Sequence, residues 1–275
     1  MSSQNVLPEP TDAGVTGGAG AVRYSVAGGV ATLTMDQQHN RNALTPALLN
    51  GLANGLDNAL AEDAVRVIVL TNTGPAFCAG ADLSGGGPAD DGSGAAAPRR
   101  GLAEILTAIQ DAPKPVVARI AGHCLGGGIG LAAACDLSVA GDNVRFGFTE
   151  VRIGVVPAII SVVCLPKLRR GDALELFLSG ERISAARAAE IGLITRSVLA
   201  ADLDNETDAV VANLLAGGPA ALAAAKQLVY AVPRMDRRAA FAQTTELSRS
   251  LFASAEAAEG MAAFREKRPP SWASP

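Results

Sequence analysis

The sequence predicts an α/β domain followed by a C-terminal helical region. Three observations predict it. Short aliphatic runs of strand length recur, and each is followed by a loop and then a helical pattern. That order implies crossover connections between strands lying side by side. Two of the runs, residues 65–70 and 115–121, lead into glycine-rich turns that precede helices. From about residue 204 onward the pattern is almost wholly helical.

Each element has its own signal. Residues 1–20 are rich in Gly, Pro and Ser and are expected to be a disordered extension. Residues 24–26 and 30–35 flank Gly28-Gly29, a hairpin with a tight turn. Residues 46–61 read as a helix, with Thr45 as N-cap and Pro46 at its first position. Residues 65–70 are aliphatic apart from Arg66, as in a strand buried on both faces. Residues 71–83 form a loop, and 84–97 continue it as a low-complexity, mobile stretch. Residues 102–110 are helical and 115–121 form a second buried strand, ending at Gly122. An Ala-rich helix runs from the triple glycine 126–128 to Ala134, and 137–140 form another strand. Residues 204–216, 219–229, 237–252 and 256–265 are candidate helices. The division is therefore an extension (1–20), a core (21–203) and a helical region (204–275) whose apolar surface invites oligomerisation.

Composition excludes several classes of protein. The chain has 275 residues, 49% of them hydrophobic and 18% charged, which suits a large buried core. Its net charge of −4 and lack of a long basic block leave nucleic-acid binding unsupported. Cys78, Cys124, Cys135 and Cys164 fit neither a zinc template nor a CxxC motif, so no metal site is expected. They read as reduced, mostly buried thiols. The N-terminus has no charged start followed by an apolar run, and no stretch reads as a membrane span. Cytoplasm is the expected location.

The chemistry lies in the two glycine-rich turns. Glycine permits positive φ and a close approach of backbone to ligand. A helix N-terminus presents free N–H groups and the positive end of a dipole. Two such N–H groups converging on one oxygen make an oxyanion hole. Its natural substrate is a carbonyl that becomes an enolate or a tetrahedral oxyanion.

The motifs resemble those of the crotonase (enoyl-CoA hydratase/isomerase) family over roughly residues 21–270. They are Ala76-Phe77-Cys78-Ala79-Gly80-Ala81-Asp82-Leu83, Ala121-Gly122-His123-Cys124-Leu125-Gly126-Gly127-Gly128 and Phe148-Thr149-Glu150-Val151-Arg152-Ile153-Gly154. Ser179-Gly180-Glu181-Arg182-Ile183-Ser184 and Glu259-Gly260-Met261-Ala262-Ala263-Phe264-Arg265-Glu266-Lys267-Arg268 complete them, in the family's order. The resemblance implies a spiral of β-β-α repeats, a CoA thioester substrate, no separate cofactor, and homotrimers or dimers of trimers. It puts the oxyanion donors on the amides of Ala81 and Gly127 and the acid/base on Glu150. Ala79, Asp82, Leu83 and Ser84 would line the adenine and thioester region. Phe264 and Lys267 would approach the CoA from the C-terminal region, although a solvated helix end is the alternative there.

The sequence departs from the family at one position. Hydratases similar to it carry a first glutamate just after the triple glycine; here that position is Gly130. A single base suffices for a 3,2-enoyl isomerisation, whereas hydration must also place a water. The Gly130 segment together with Pro157-Ala158-Ile159-Ile160-Ser161 is nevertheless similar to bacterial methylglutaconyl-CoA hydratases. The expected activity is hydration of a short or branched 2-enoyl-CoA. A one-base isomerase and an inert acyl-CoA binder stand as alternatives. His39 reads as a solvated loop residue. His123 reads as structural, with a water-holding role as the alternative. No nucleophile-elbow G-x-S-x-G is present to support a serine triad.

Overall fold

The computed structural model describes residues 20–83 and 100–273. Residues 1–19, 84–99 and 274–275 fall outside the described residues, and with them the expected extension up to residue 19 and the whole stretch at 84–97, Ser84 included.

Strands β1 (Val22–Ala27) and β2 (Val30–Met35) form the hairpin, turning at Gly28 and Gly29 with φ of 55° and 78°. Helix α1 (Pro46–Ala61) follows, and the Thr45 hydroxyl accepts from the Leu48 amide at 3.2 Å. Next come β3 (Val67–Asn72), β4 (Ala76–Cys78), α2 (Leu102–Asp111), β5 (Val116–Ile120), β6 (His123–Leu125) and α3 (Gly127–Ala134). Then follow β7 (Leu137–Gly141), β8 (Arg145–Gly147), α4 (Ala158–Cys164), α5 (Arg170–Ser179), β9 (Arg182–Ser184), α6 (Ala185–Glu190) and β10 (Arg196–Val198). Four helices close the chain: α7 (Leu203–Ala216), α8 (Pro219–Ala231), α9 (Arg237–Phe252) and α10 (Ala255–Glu266).

The strands divide between a six-stranded sheet, ordered β1-β2-β3-β5-β7-β10, and a four-stranded sheet, ordered β4-β6-β8-β9. The hairpin β1-β2 before α1 lies wholly in the large sheet, and then three successive turns, β3-β4-α2, β5-β6-α3 and β7-β8-α4, each contribute one strand to the large sheet, one to the small sheet, and a helix. The loop expected over 71–83 therefore contains β4, and β3 extends to Asn72, where Thr34↔Thr71 and Met35↔Asn72 continue its register with β2. Val65 is buried but precedes the ladder.

The aliphatic runs are covered on both faces. Ile68, Leu70, Val116, Ala118 and Ile120 belong to the main core with α1, α2 and α3. Their alternating neighbours Val67, Val69, Val117 and Val139 pack against Leu203, Val210 and Val211 of α7. This is the burial expected for a parallel sheet between helical layers. Beyond α7 the helices bury little of themselves: Lys226 in α8, no residue in α9 and Ala263 in α10. Among the described residues no single helix is long and apolar enough to cross a bilayer.

Candidate active site

The small sheet assembles the site. Strands β4, β6 and β8 are parallel neighbours, so their C-terminal ends lie side by side. Neighbouring strands stand about 5 Å apart. The segment after β4 carries Ala79-Gly80-Ala81, that after β6 carries Gly126-Gly127, and that after β8 carries Glu150. Ligands of α/β folds commonly bind at such carboxyl ends.

The first two segments touch. Gly80 has φ +93°, and a Cβ placed on it would lie 3.3 Å from the Leu125 oxygen and 3.4 Å from the Gly127 nitrogen. Leu44 donates to the Gly80 carbonyl at 2.8 Å and pairs with Ala81 in a parallel bridge. The hydrogen bonds of such a bridge run to the residues flanking Ala81, which leaves its own amide outside the ladder. Gly126, at φ +49°, donates to the Gly147 carbonyl at 3.0 Å and so ties the second turn to β8. Gly127 opens α3, where a helix leaves its first amides without an internal partner. Among the described residues neither the Ala81 nor the Gly127 amide has an acceptor. Close packing beneath the turns depends on further glycines. A Cβ on Gly128 would meet the Cys78 Cβ and carbonyl oxygen, both at 2.7 Å.

Glu150 comes third. It lies in the short helical turn Thr149–Ile153, closed by left-handed Gly154. The turn is anchored by buried Phe148, whose ring stands 4.4 Å from that of Phe177. The carboxylate reaches back to the second turn, where a Cβ on Gly126 would be 3.1 Å from Glu150 Oε1. Its Oε2 is buried and has no hydrogen-bond partner among the described residues. Burial pushes the carboxyl above its usual pKa, opposed only by a hydrogen bond from its own backbone. A half-buried carboxylate with a free oxygen beside two backbone amides can move a proton next to a stabilised oxyanion.

Position 130 is filled from outside. A Cβ on Gly130 would lie 2.3 Å from Ile160 Cγ2 and 3.5 Å from Leu106 Cδ1. Hydrocarbon therefore stands where the family resemblance leads a first glutamate to be expected.

The other anticipated residues are dispersed. Ala79 is half-buried between β4 and Gly80, Asp82 has a polar partner of its own, and Leu83 is 60% exposed. Phe264 is 86% exposed near the end of α10, and Lys267 caps that helix in the left-handed conformation. The contacts joining the two turns to Glu150 do not include them. Arg268, next to Lys267, pairs with Glu259 and Glu266, so its charge is met within the chain. His39 is exposed in the turn Gln38–Asn40. His123 is exposed, and its Nδ1 accepts from the Arg145 amide at 3.2 Å. All four cysteines are free and buried, and burial holds the Cys78, Cys135 and Cys164 thiols up at about 12. Ile160 and Leu106 were not anticipated as site neighbours. The Pro-Ala-Ile-Ile-Ser segment was the available signal, but its contact with α3 is tertiary.

A six-stranded and a four-stranded sheet built from β-β-α turns, with a helical C-terminal region, define the chain as a crotonase-fold enzyme. It belongs to the enoyl-CoA hydratase/isomerase family, whose profile matches residues 25–275. The chain is 35% identical over 245 residues to the 2,3-dehydroadipyl-CoA hydratase of Escherichia coli strain K12, covering 88% of this chain and 94% of that one. Among solved structures it is similar to an enoyl-CoA hydratase of Mycobacterium smegmatis, with a TM-score of 0.82 and 32% identity over 92% of this chain and 99% of that one. An enoyl-CoA hydratase from Mycobacterium avium is 44% identical with a TM-score of 0.68, covering 92% and 98%.

Proposed function

We propose that the chain hydrates a short or branched 2-enoyl-CoA thioester, with Glu150 as its acid/base. The observation that carries this reading is the buried, unpartnered Glu150 Oε2 beside the Gly126-Gly127 turn. In this reading the amides of Ala81 and Gly127 hold the thioester oxygen. The oxygen of water bonds to C3, and the C2–C3 π electrons move toward the carbonyl as an enolate. Glu150 takes the proton that the water loses. The enolate collapses, and Glu150 returns a proton to C2. Water has then been added across the double bond and the carboxylate is ionised again. Fixed dipoles aimed at the developing charge supply the largest share of such catalysis.

In the same reading CoA enters as part of the substrate. Ala79, Asp82 and Leu83 line its adenine and thioester region, and Phe264 and Lys267 approach it from the C-terminal helices. The exposed Phe241, Phe252 and Phe264 suit a homotrimer or a dimer of trimers. Light scattering should then give three or six chain masses, and a monomer would remove that part of the proposal.

The direct test follows loss of conjugated thioester absorbance with crotonyl-CoA and 3-methylglutaconyl-CoA. Consumption of either is expected, and inertness toward both would overturn the reading. The hydrocarbon around Gly130 favours a second reading, a one-base 3,2-enoyl-CoA isomerase. Conversion of 3-enoyl-CoA without hydration of 2-enoyl-CoA would select it.

A further inference from the structure

We propose that Ile160 sets the reaction specificity of this site: it fills the space beside Gly130, excludes a second carboxylate, and commits proton transfer to Glu150 alone. The proposal rests on the reading of Glu150 as the acid/base.

The geometry starts on α3. Gly127 and Gly130 share one side of the helix, because residues three apart lie one above the other, and Gly126 is the N-cap just before them. Gly126 faces Glu150. Gly127 faces Leu44 and Leu102, and Gly130 faces Leu106 and Ile160. Leu102 and Leu106 are one turn apart on α2. A carboxylate borne at 130 would therefore stand about 5–6 Å, Cβ to Cβ, from position 127, which adjoins the Gly126 position that Glu150 touches. Two carboxylates could share a substrate at that separation. What prevents it is a wall of hydrocarbon running from the Gly127 end of α3 past Gly130.

Within that wall the decisive residue is Ile160. A Cβ at 130 would meet Ile160 Cγ2 at 2.3 Å and Ile160 Cβ at 2.9 Å. The second distance matters more. A terminal methyl can swing aside, but a Cβ moves only with its backbone. Ile160 lies in α4, where a β-branched side chain keeps one strongly preferred rotamer, and it is 2% exposed. Leu106, by contrast, would make only an ordinary contact at 3.5 Å. Positions 130 and 160 thus form an exchange pair: one can carry a side chain only if the other gives it up. Changing Gly130 alone cannot install a second carboxylate.

Four chains test this: the parent, G130E, I160G and G130E/I160G. Each is assayed for melting temperature and for kcat with a 2-enoyl-CoA (hydration) and a 3-enoyl-CoA (isomerisation). G130E is expected to melt lower and to lose at least about tenfold in both activities, as a packing clash near a catalytic group would cause. The double variant is expected to melt above G130E and to raise the ratio of hydration to isomerisation at least about tenfold over the parent, equivalent to about 1.4 kcal/mol between the two barriers. A purely structural role would restore melting and leave that ratio unchanged, which would overturn the proposal. So would a G130E chain as stable and active as the parent. Should the double variant fail to fold, G130A and G130A/I160A decide the matter. G130A must melt lower and the second change must restore it, and independence of the two overturns the proposal. A parent inactive on every enoyl-CoA, yet showing coupled melting, would instead sink the functional reading and the specificity built on it.

Discussion

Glu150→Gln is expected to lower turnover of a 2-enoyl-CoA by about 10²–10⁴-fold, the usual contribution of a general acid/base, while leaving the fold at least as stable at neutral pH. The amide keeps the shape and removes the ionisation. Burial raises the Glu150 carboxyl above its usual range, so the folded chain binds this proton more tightly than the unfolded chain. The folded state therefore loses stability as pH rises from the ordinary glutamate pKa, about 4.3, through the raised one. Glutamine does not incur that loss. The parent should thus fall behind E150Q in melting temperature above the window and draw level below it. Activity in the parent should move the other way, rising with pH as the carboxylate needed to accept the water's proton forms. Kinetics and thermal melts across pH read both trends. Turnover within about threefold of the parent would remove Glu150 from the proposed chemistry. A melting temperature well below the parent's would mean that the carboxylate holds structure instead.

The elements legible in the sequence were those whose signal is local. Gly28-Gly29 turns a hairpin because both residues need positive φ, and Thr45-Pro46 starts a helix because a hydroxyl and a missing N–H suit its first turn. The bounds 46–61 and 237–252 emerge as read. Strands β4, β6 and β8 were not legible as strands, since three residues carry no period. They nevertheless build the site, because their parallel pairing aligns three segments far apart in the chain. The glycines and Glu150 could be picked out individually, and the family resemblance supplied the expectation that they meet. The contact between Gly130 and Ile160 was not legible, because it arises only when α3 packs on α4.

Lys226→Met is expected to destabilise the chain by about 3–5 kcal/mol, the cost of leaving a buried charge without its partner. Lys226 is the only residue that α8 buries. Its ammonium lies 2.8 Å from Asp136 Oδ2 and donates to the Ile109 carbonyl at 2.8 Å. Asp136 Oδ2 also accepts from the Val116 amide at 2.7 Å, so one oxygen ties α8 to the first residue of β5. Arg66 provides a second tie to the C-terminal region, donating to the carbonyls of Leu215, Gly217 and Trp272. Loss of Lys226 should therefore loosen α8 before it unfolds the sheet. The deficit should also depend on pH. Burial already raises the Asp136 carboxyl above its usual range, although the Lys226 ammonium pulls it down. Without that ammonium the carboxyl rises further, and its ionisation then weighs more heavily on the folded state. The loss in K226M should accordingly be larger at pH 8 than at pH 5. D136N/K226M removes the orphaned charge, keeps an acceptor for the Val116 amide, and should recover much of the stability. Urea denaturation of the three chains at both pH values measures this. A K226M midpoint matching the parent's, or no recovery in the double variant, would show that α8 is held by its surface contacts and not by the buried pair.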